Sequence, residues 1–309
     1  GNIEFYKNRT KDILYDIQLP VMTGFSSIPK NIGEVKNWGL EFSLTGRLIN
    51  TKKTSWSATV NFSRIRNKIV SILGSNLEGI EEDLVANRLF IGEPQNVLYD
   101  YEITGELWQL ADETAGTIHD GFLPGTLKIV DQNTDGKFSA SEDMKILGYA
   151  DPSYKVGIAN NFRYGNFGLY VFINSIQGGK NYYLAPIQPD WGMNNYEFIT
   201  QGNGIKGSWD YWMPENPNSK YRRVDSAPTY EGINYDQRNF IRLQDVTLSY
   251  EFDKKLIERL NINALKVFVS GKNLLTLTKW EGLDPELGIG LTPDYPIMSN
   301  YSLGLNIEF

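Results

Sequence analysis

The segment from Asp131 to Glu142 carries the residue spacing of a calcium-binding loop. Oxygen-bearing side chains recur at its first, third and fifth positions, and Gly136 at the sixth position permits a sharp turn. The predicted ligands, with Lys137 contributing its backbone carbonyl, are Asp131, Asn133, Asp135, Lys137, Ser139 and Glu142. Because Ca²⁺ prefers such oxygen ligands, the sequence predicts a structural calcium ion that clips a long loop.

The same residues also fit a plain solvated turn. Asp, Asn and Gly are common in loops because their side chains and backbones favour turn conformations. The helices that flank an EF-hand loop are not evident, since the preceding residues 125–130 look like a strand. Both interpretations stay open at this point.

A second chemical feature is an aromatic-rich stretch over residues 181–235, which holds eleven Tyr, Trp and Phe residues. Aromatic faces stack on sugar rings and serve as rigid anchors for partner proteins. The candidates for substrate or partner contact are Trp191, Trp209, Tyr211, Trp212 and Tyr221. The alternative is that these side chains pack the loop against itself.

Composition excludes several classes of function. The 309 residues include no Cys and a single His, His119, so a thiolate site or a multi-histidine zinc site is not expected. The net charge of −7 argues against a nucleic-acid partner. A glycosidase needs a pair of carboxylates, but no spacing singles out two of the 37 acidic residues, and we expect no enzyme activity.

These candidate sites must be positioned by β-strands. In the last nine residues, Tyr301 to Phe309, apolar side chains occupy every odd position and small or polar ones every even position. Such alternation predicts a strand with one apolar and one polar face. The same pattern covers Trp38 to Leu48, Trp56 to Phe62 and several later segments. Residues 2–8 and 11–19 also read as two strands, joined by a tight connection at Asn8-Arg9-Thr10, which gives about nine strands in all.

Short turns and long loops alternate between these strands. Asn50 to Lys53 and Gly165-Asn166 read as tight turns, whereas residues 70–152 and 177–239 read as long excursions. A transmembrane β-barrel has this asymmetry, with its long loops outside the cell. Trp38, Trp56, Tyr250, Tyr301 and Phe309 are then candidates for the aromatic belts facing lipid.

The count of nine carries a further expectation. An all-antiparallel barrel closes with an even number of strands, so nine strands should not close alone. The chain also begins without methionine or a leader, and we expect its true amino terminus to lie elsewhere.

A soluble, calcium-dependent carbohydrate-binding β-sandwich is the alternative fold.

Five segments, in the same order along the chain, resemble the SusC/RagA family of TonB-dependent outer-membrane transporters. They are Asn37–Glu41, Asp131–Gly136, Leu147–Pro152, Phe240–Tyr250 and Val269–Thr276. The resemblance implies an all-β fold, namely the carboxyl-terminal part of an antiparallel transmembrane β-barrel of 22 strands with long extracellular loops. It also implies location in the cell outer membrane, in contact with its lipid.

The resemblance carries expectations about partners as well. It implies import of oligosaccharides or peptides beneath a SusD-like surface lipoprotein that acts as a lid. The plug domain and the segment that contacts TonB lie upstream in that family, so they are absent from this chain. Calcium is expected only as a structural ion.

Overall fold

One large antiparallel sheet dominates the chain. The computed structural model describes residues 1–18, 24, 27–72, 83–181, 211–219, 222–223, 228–258, 261–280, 284–286 and 297–309. The strands are β1 (Asn2–Gln18), β2 (Ser27–Asn50), β3 (Thr54–Ser71), β4 (Val97–Tyr101), β5 (Ile103–Leu107), β6 (Leu127–Ile129), β7 (Met144–Tyr149), β8 (Pro152–Tyr164), β9 (Phe167–Gly178), β10 (Lys180–Asn181), β11 (Asp236–Gln237), β12 (Phe240–Glu251), β13 (Ala264–Thr278) and β14 (Asn300–Glu308). Eight of them pair in the order β1-β2-β3-β8-β9-β12-β13-β14, which confirms the predicted antiparallel all-β fold.

The eight-stranded sheet has one apolar and one polar face. Directly paired residues share a face, so each register row can be followed across the strands. One row consists of Trp56, Phe162, Leu169, Leu248, Val269 and Leu303. Leu303 is 77% exposed and Leu305 is 61% exposed, so the apolar face is not sealed inside a globule.

The predicted strand count needs a correction. Residues 2–8 and 11–19 were expected to be two strands joined by a turn at Asn8–Thr10, but they form the single strand β1. A register shift between Thr10 and Ile13, with Asp12 at φ 56°, is a bulge that bends the strand without reversing it. Eight is an even number, so the parity argument for an unclosed barrel is wrong.

The sheet is nevertheless open. In the part of the chain that the structure describes, β1 pairs only with β2, and β14 pairs only with β13. Both outer strands therefore present backbone N–H and C=O groups without a neighbour on one side.

Short and long connections lie at opposite ends of the sheet. β2 and β3 are joined by residues 51–53, and β8 and β9 by Gly165-Asn166, where Gly165 adopts φ 58°. The long connections, residues 72–151, 179–239 and 279–299, start and finish at the other end of the sheet. The connection from β12 to β13, residues 252–263, is of intermediate length and belongs to the short-turn end. The predicted asymmetry between turns and loops is confirmed.

The first long connection folds on itself, which the sequence did not predict. β4 pairs with β7 and β5 with β6, and short helices stand at Val85–Asn87 (a 3₁₀ turn), α1 (Leu110–Thr114) and α2 (Ala140–Asp143). Tyr101, Phe122, Ile129 and Phe138 form a small buried core there. Within the described residues, a further short helix, α3 (Lys254–Ile257), lies in the connection from β12 to β13. No helix among the described residues is long and apolar enough to cross a membrane.

Candidate ligand-facing surface and calcium loop

Polar side chains cover the face of the sheet opposite the apolar one. One row across seven strands contains Asn2, Ser43, Asn61, Gly157, Asn174, Arg242 and Thr276. The neighbouring row includes Glu4, Glu41, Ser63 and Lys155. These amides, hydroxyls and charges can hydrogen-bond water or a polar ligand, as the lining of an aqueous passage requires.

The described parts of the two long excursions form one folded body beyond the end of this surface. We call it the loop unit; it comprises residues 97–150, 211–219 and 228–235. The Tyr230 ring lies 5.9 Å from that of Phe122 and 6.1 Å from that of Phe138, and the Thr229 N–H donates to the Gly121 carbonyl at 2.9 Å. The second excursion is thus anchored on the core of the first.

The predicted contact residues have three different outcomes. Trp191, Trp209 and Tyr221 lie outside the described residues. Tyr211 is exposed on the loop unit and stays a candidate contact. Trp212 is only 3% exposed, since its indole packs over Gly125 and its N–H donates to the Gln109 Oε1 at 3.3 Å. The prediction for Trp212 is therefore corrected: its role is to pack the loop unit.

Asp100 is a charged group buried where the two excursions meet. Its side chain accepts the Tyr235 hydroxyl at 2.8 Å and the Tyr101 N–H at 2.8 Å. Burial raises the pKa of Asp100, and these two hydrogen bonds oppose that rise. The Tyr235 hydroxyl thus stabilises the ionised carboxylate at the junction.

Changing Tyr235 to Phe should destabilise the loop unit by about 1–3 kcal/mol at neutral pH, because a buried carboxylate loses a donor. The raised pKa of Asp100 in the folded state rises further in the variant, since the lost bond favoured the charged form. The difference in stability between the variant and the wild type should therefore shrink as the pH falls through the pKa values of Asp100 in the two folded proteins, because Asp100 then becomes protonated in both. Hydrogen exchange of residues 97–149 measures this. A pH-independent difference would show that Asp100 is not involved.

The predicted calcium loop is a tightly hydrogen-bonded turn. Asp131 accepts the N–H groups of Thr134 at 2.6 Å and Gly136 at 2.8 Å, and Gly136 has φ 78°, as the spacing predicts. Asn133 and Asp135 accept the N–H groups two residues ahead, and the Ser139 hydroxyl donates to Glu142. No three acidic or His side chains among the described residues are grouped to hold a metal ion.

Asp143, which the sequence analysis did not single out, holds the end of this loop in place. Asp143, which is fully buried, accepts the Gln132 N–H at 3.0 Å and the Ser139 N–H at 2.7 Å. It thus ties the two ends of the loop together, whereas the predicted ligand Glu142 is exposed. Calcium binding by Asp131, Asn133, Asp135, Lys137, Ser139 and Glu142 stays a prediction.

Adding calcium tests that prediction. At 100 times its dissociation constant, an ion that binds only the folded loop stabilises it by about 2.7 kcal/mol. We therefore expect millimolar calcium to raise the melting temperature, and the double change Asp131→Asn and Asp135→Asn to abolish the rise. The Glu106→Gln and Glu113→Gln double variant is a matched control. An unchanged melting temperature at millimolar calcium would discard the site.

Comparisons with known proteins show which proteins this chain resembles. No family model matches the chain. It aligns over its whole length with the TonB-dependent receptor P3 of Formosa agariphila at 28% identity, and with the TonB-dependent receptor SusC of Bacteroides thetaiotaomicron at 25% identity. The chain is similar over its whole length to TonB-dependent receptors of the SusC type. It covers 32% of the P3 receptor and 30% of SusC, so it spans about a third of the curated relatives it matches.

The fold agrees with this relationship. A solved structure of the RagAB peptide transporter superimposes on 99% of the chain with a TM-score of 0.73, at 24% sequence identity and over 33% of that protein's chain. The sheet thus has the fold of part of an outer-membrane β-barrel, in which the apolar face meets lipid. The relatives are receptors and transporters rather than enzymes, in agreement with the expectation of no enzyme activity.

The lipid-facing side carries aromatic residues near both edges of its apolar band. Trp56, Tyr250 and Tyr301 lie on this face, with Trp38 on the same face toward the long-loop end. Phe309 follows β14 and is exposed. This arrangement matches the aromatic girdles of outer-membrane barrels and places Trp38, Trp56, Tyr250 and Tyr301 on the expected side.

Proposed function

We propose that the chain forms the carboxyl-terminal portion of the barrel of a TonB-dependent transporter that imports oligosaccharides or peptides. The observation that carries this proposal is a continuous sheet in a chain related over its full length to SusC-type receptors. Among the residues that the structure describes, neither outer strand of this sheet has a second neighbour. Exposed strand edges promote aggregation unless another strand pairs with them. Further barrel strands, 22 in the complete transporter, would pair with β1 and β14.

Energy coupling belongs to other parts of that transporter. TonB would act through a plug domain upstream of this chain. The role proposed here is to supply passage wall and outer loops, with no covalent chemistry. The row of Asn, Ser and Thr side chains on the polar face suits substrates rich in hydroxyl or amide groups, because these side chains both donate and accept hydrogen bonds.

We place a SusD-like surface lipoprotein over the long-loop end. The loop unit supports this placement, since its buried aromatic core and the Asp100–Tyr235 hydrogen bond give a partner a rigid surface. RagAB is itself described as a peptide transporter, and its structure includes the same fold.

The soluble sandwich is less well supported. A sandwich would cover the apolar face with a second sheet. In the described residues, the strands outside the large sheet form only two-stranded ladders, and Leu303 and Leu305 are exposed. A calcium-dependent carbohydrate-binding sandwich would also remain in solution without detergent.

The test replaces the aromatic candidates in the full-length transporter, expressed with its neighbouring lipoprotein. Changing Trp191, Trp209, Tyr211 and Tyr221 to Ala should reduce lipoprotein co-purification or substrate uptake at least roughly tenfold, because aromatic anchors at interfaces cost about 2 kcal/mol or more when truncated. A matched variant changes Tyr154, Tyr164, Phe167 and Tyr250 on the lipid side and should retain both activities. Equal behaviour of the two variants would refute the contact role.

A further inference from the structure

Six basic side chains lie together on the lipid-facing side of β1, β2 and β3. Arg9, Lys36 and Lys68 are directly opposite one another in one register row. The next row contains Lys7, Trp38 and Arg66, and the one below it Phe5, Leu40 and Arg64. We call the set Lys7, Arg9, Lys36, Arg64, Arg66 and Lys68 the basic patch.

The position of the patch coincides with the upper edge of the apolar band. Arg64 is ten residues beyond Thr54, where β3 begins at a short turn. Ten residues span about 33 Å along a strand, or about 25 Å of height at the usual barrel tilt. The apolar band of an outer-membrane barrel is about 25 Å tall. Arg64, Arg66 and Lys68 therefore lie at the level of the outer-leaflet headgroups.

Such a cluster needs anions nearby. Like charges directly opposite each other destabilise a strand pair, and here three cations stand in one row across three strands. Local contacts stabilise some of these cations. Arg9 forms an ion pair with Glu34, and the Lys36 Nζ lies 5.6 Å from the Trp38 ring centroid. Arg66 donates a hydrogen bond to the Pro152 carbonyl at 3.1 Å. The carboxylates of Glu34 and of Asp151, which interacts with Arg66, offset two of the six charges, so the patch keeps an excess of positive charge.

We propose that the basic patch binds the phosphate groups of an outer-leaflet lipid whose headgroup carries at least two phosphates. Three neighbouring strands make the patch about 10 Å wide, which is room for two phosphate groups side by side. The acyl chains would continue down the apolar face past Leu40 and Phe42. Arg and Lys bind phosphate oxygens through short, charge-assisted hydrogen bonds. The patch lies on the lipid-facing side, away from the polar face and the loop unit, so lipid binding there is a property separate from the proposed transport function.

The experiment uses the full-length transporter in a non-ionic detergent. Bisphosphorylated lipid A, its dephosphorylated form and inorganic phosphate are titrated separately, and bound lipid is counted by native mass spectrometry. The test variant combines Lys7→Gln, Arg64→Gln and Lys68→Gln. The control combines Arg47→Gln, Lys155→Gln and Lys272→Gln, which removes the same charge from the polar face.

Each cation near a membrane surface strengthens binding about fivefold, so the test variant should bind the bisphosphorylated lipid roughly 100-fold more weakly than the control. Equal affinity of the two variants would overturn the proposal. So would equal binding of the dephosphorylated lipid, which would assign affinity to the acyl chains, or equally tight binding of inorganic phosphate. If the triple variant does not fold, Arg64→Gln alone should show about a fivefold loss, and no loss there would also overturn it.

Discussion

Replacing Arg242 with Ala is expected to lower the free energy of unfolding by about 3–5 kcal/mol, because it leaves two carboxylates facing each other without their cation. Arg242 is 1% exposed, although it belongs to the polar face of β12. Its Nη1 donates to Glu286 at 2.6 Å, its Nη2 to Asp284 at 2.8 Å and its Nε to the Thr276 hydroxyl at 3.0 Å. The side chain therefore ties the connection after β13 to the sheet.

Urea unfolding of the full-length protein in detergent micelles measures this loss. Arg242→Lys keeps the charge but loses the planar fork that engages both acids, so its stability should lie between wild type and Ala. Lys272→Ala, an exposed cation on β13, should stay within about 0.5 kcal/mol of wild type. A loss below about 1 kcal/mol for Arg242→Ala would show that Asp284 and Glu286 are solvated without it.

The strand interiors were predictable because each residue has only two environments. On β3, Trp56 and Phe62 face lipid, while Ser57 and Asn61 lie on the polar face. Apolar and polar residues therefore alternate in the sequence with a period of two. The prediction for β2 began at Trp38, but the strand extends from Ser27 to Asn50. Above Trp38 the inner face carries Val35 and, opposite it on β3, Ile69, which pack against Leu84, Leu89 and Ile91 of the first long connection. Apolar side chains therefore occur on both faces there.

The bulge and the loop unit could not be read in this way. A polar triplet such as Asn8-Arg9-Thr10 suits a turn and a bulge equally, and only pairing of β1 with β2 along its whole length decides between them. The loop-unit strands are three to six residues long, too short for a periodic signal. Their partners are brought together by the core of Tyr101, Phe122 and Phe138.

The candidate site shows the same limit. Tyr211 and Trp212 are adjacent and chemically alike, yet one is exposed and the other is buried. What separates them is the gap above Gly125, at φ 83°, into which the Trp212 ring fits. Arg242 was missed for a similar reason: its acidic partners are 42 and 44 residues away in sequence, in a loop without periodicity.

An Arg in place of Leu44 should destabilise the folded protein in lipid by about 2–4 kcal/mol, the cost of a cation near the middle of the lipid face. Leu44 lies opposite Val60, six residues beyond Thr54, which corresponds to a height of about 15 Å in a band of about 25 Å. Its side chain is 62% exposed, so a protein surface does not cover it.

Thr45→Arg is the matched control, because Thr45 is the next residue on β2 and projects to the polar face opposite Thr59. Water solvates a cation there, so the cost of Thr45→Arg should be about 1 kcal/mol, that of the exposed hydrogen bond between the Thr45 and Thr59 hydroxyls at 2.9 Å. Reversible urea unfolding of both variants in vesicles of short-chain phosphatidylcholine gives the two values. Because the two positions differ in the solvent they face and hardly in depth, the difference between them reports which side of the sheet meets lipid. Equal losses, or a larger loss for Thr45→Arg, would mean that the apolar face packs against protein and that the polar face is not an aqueous wall.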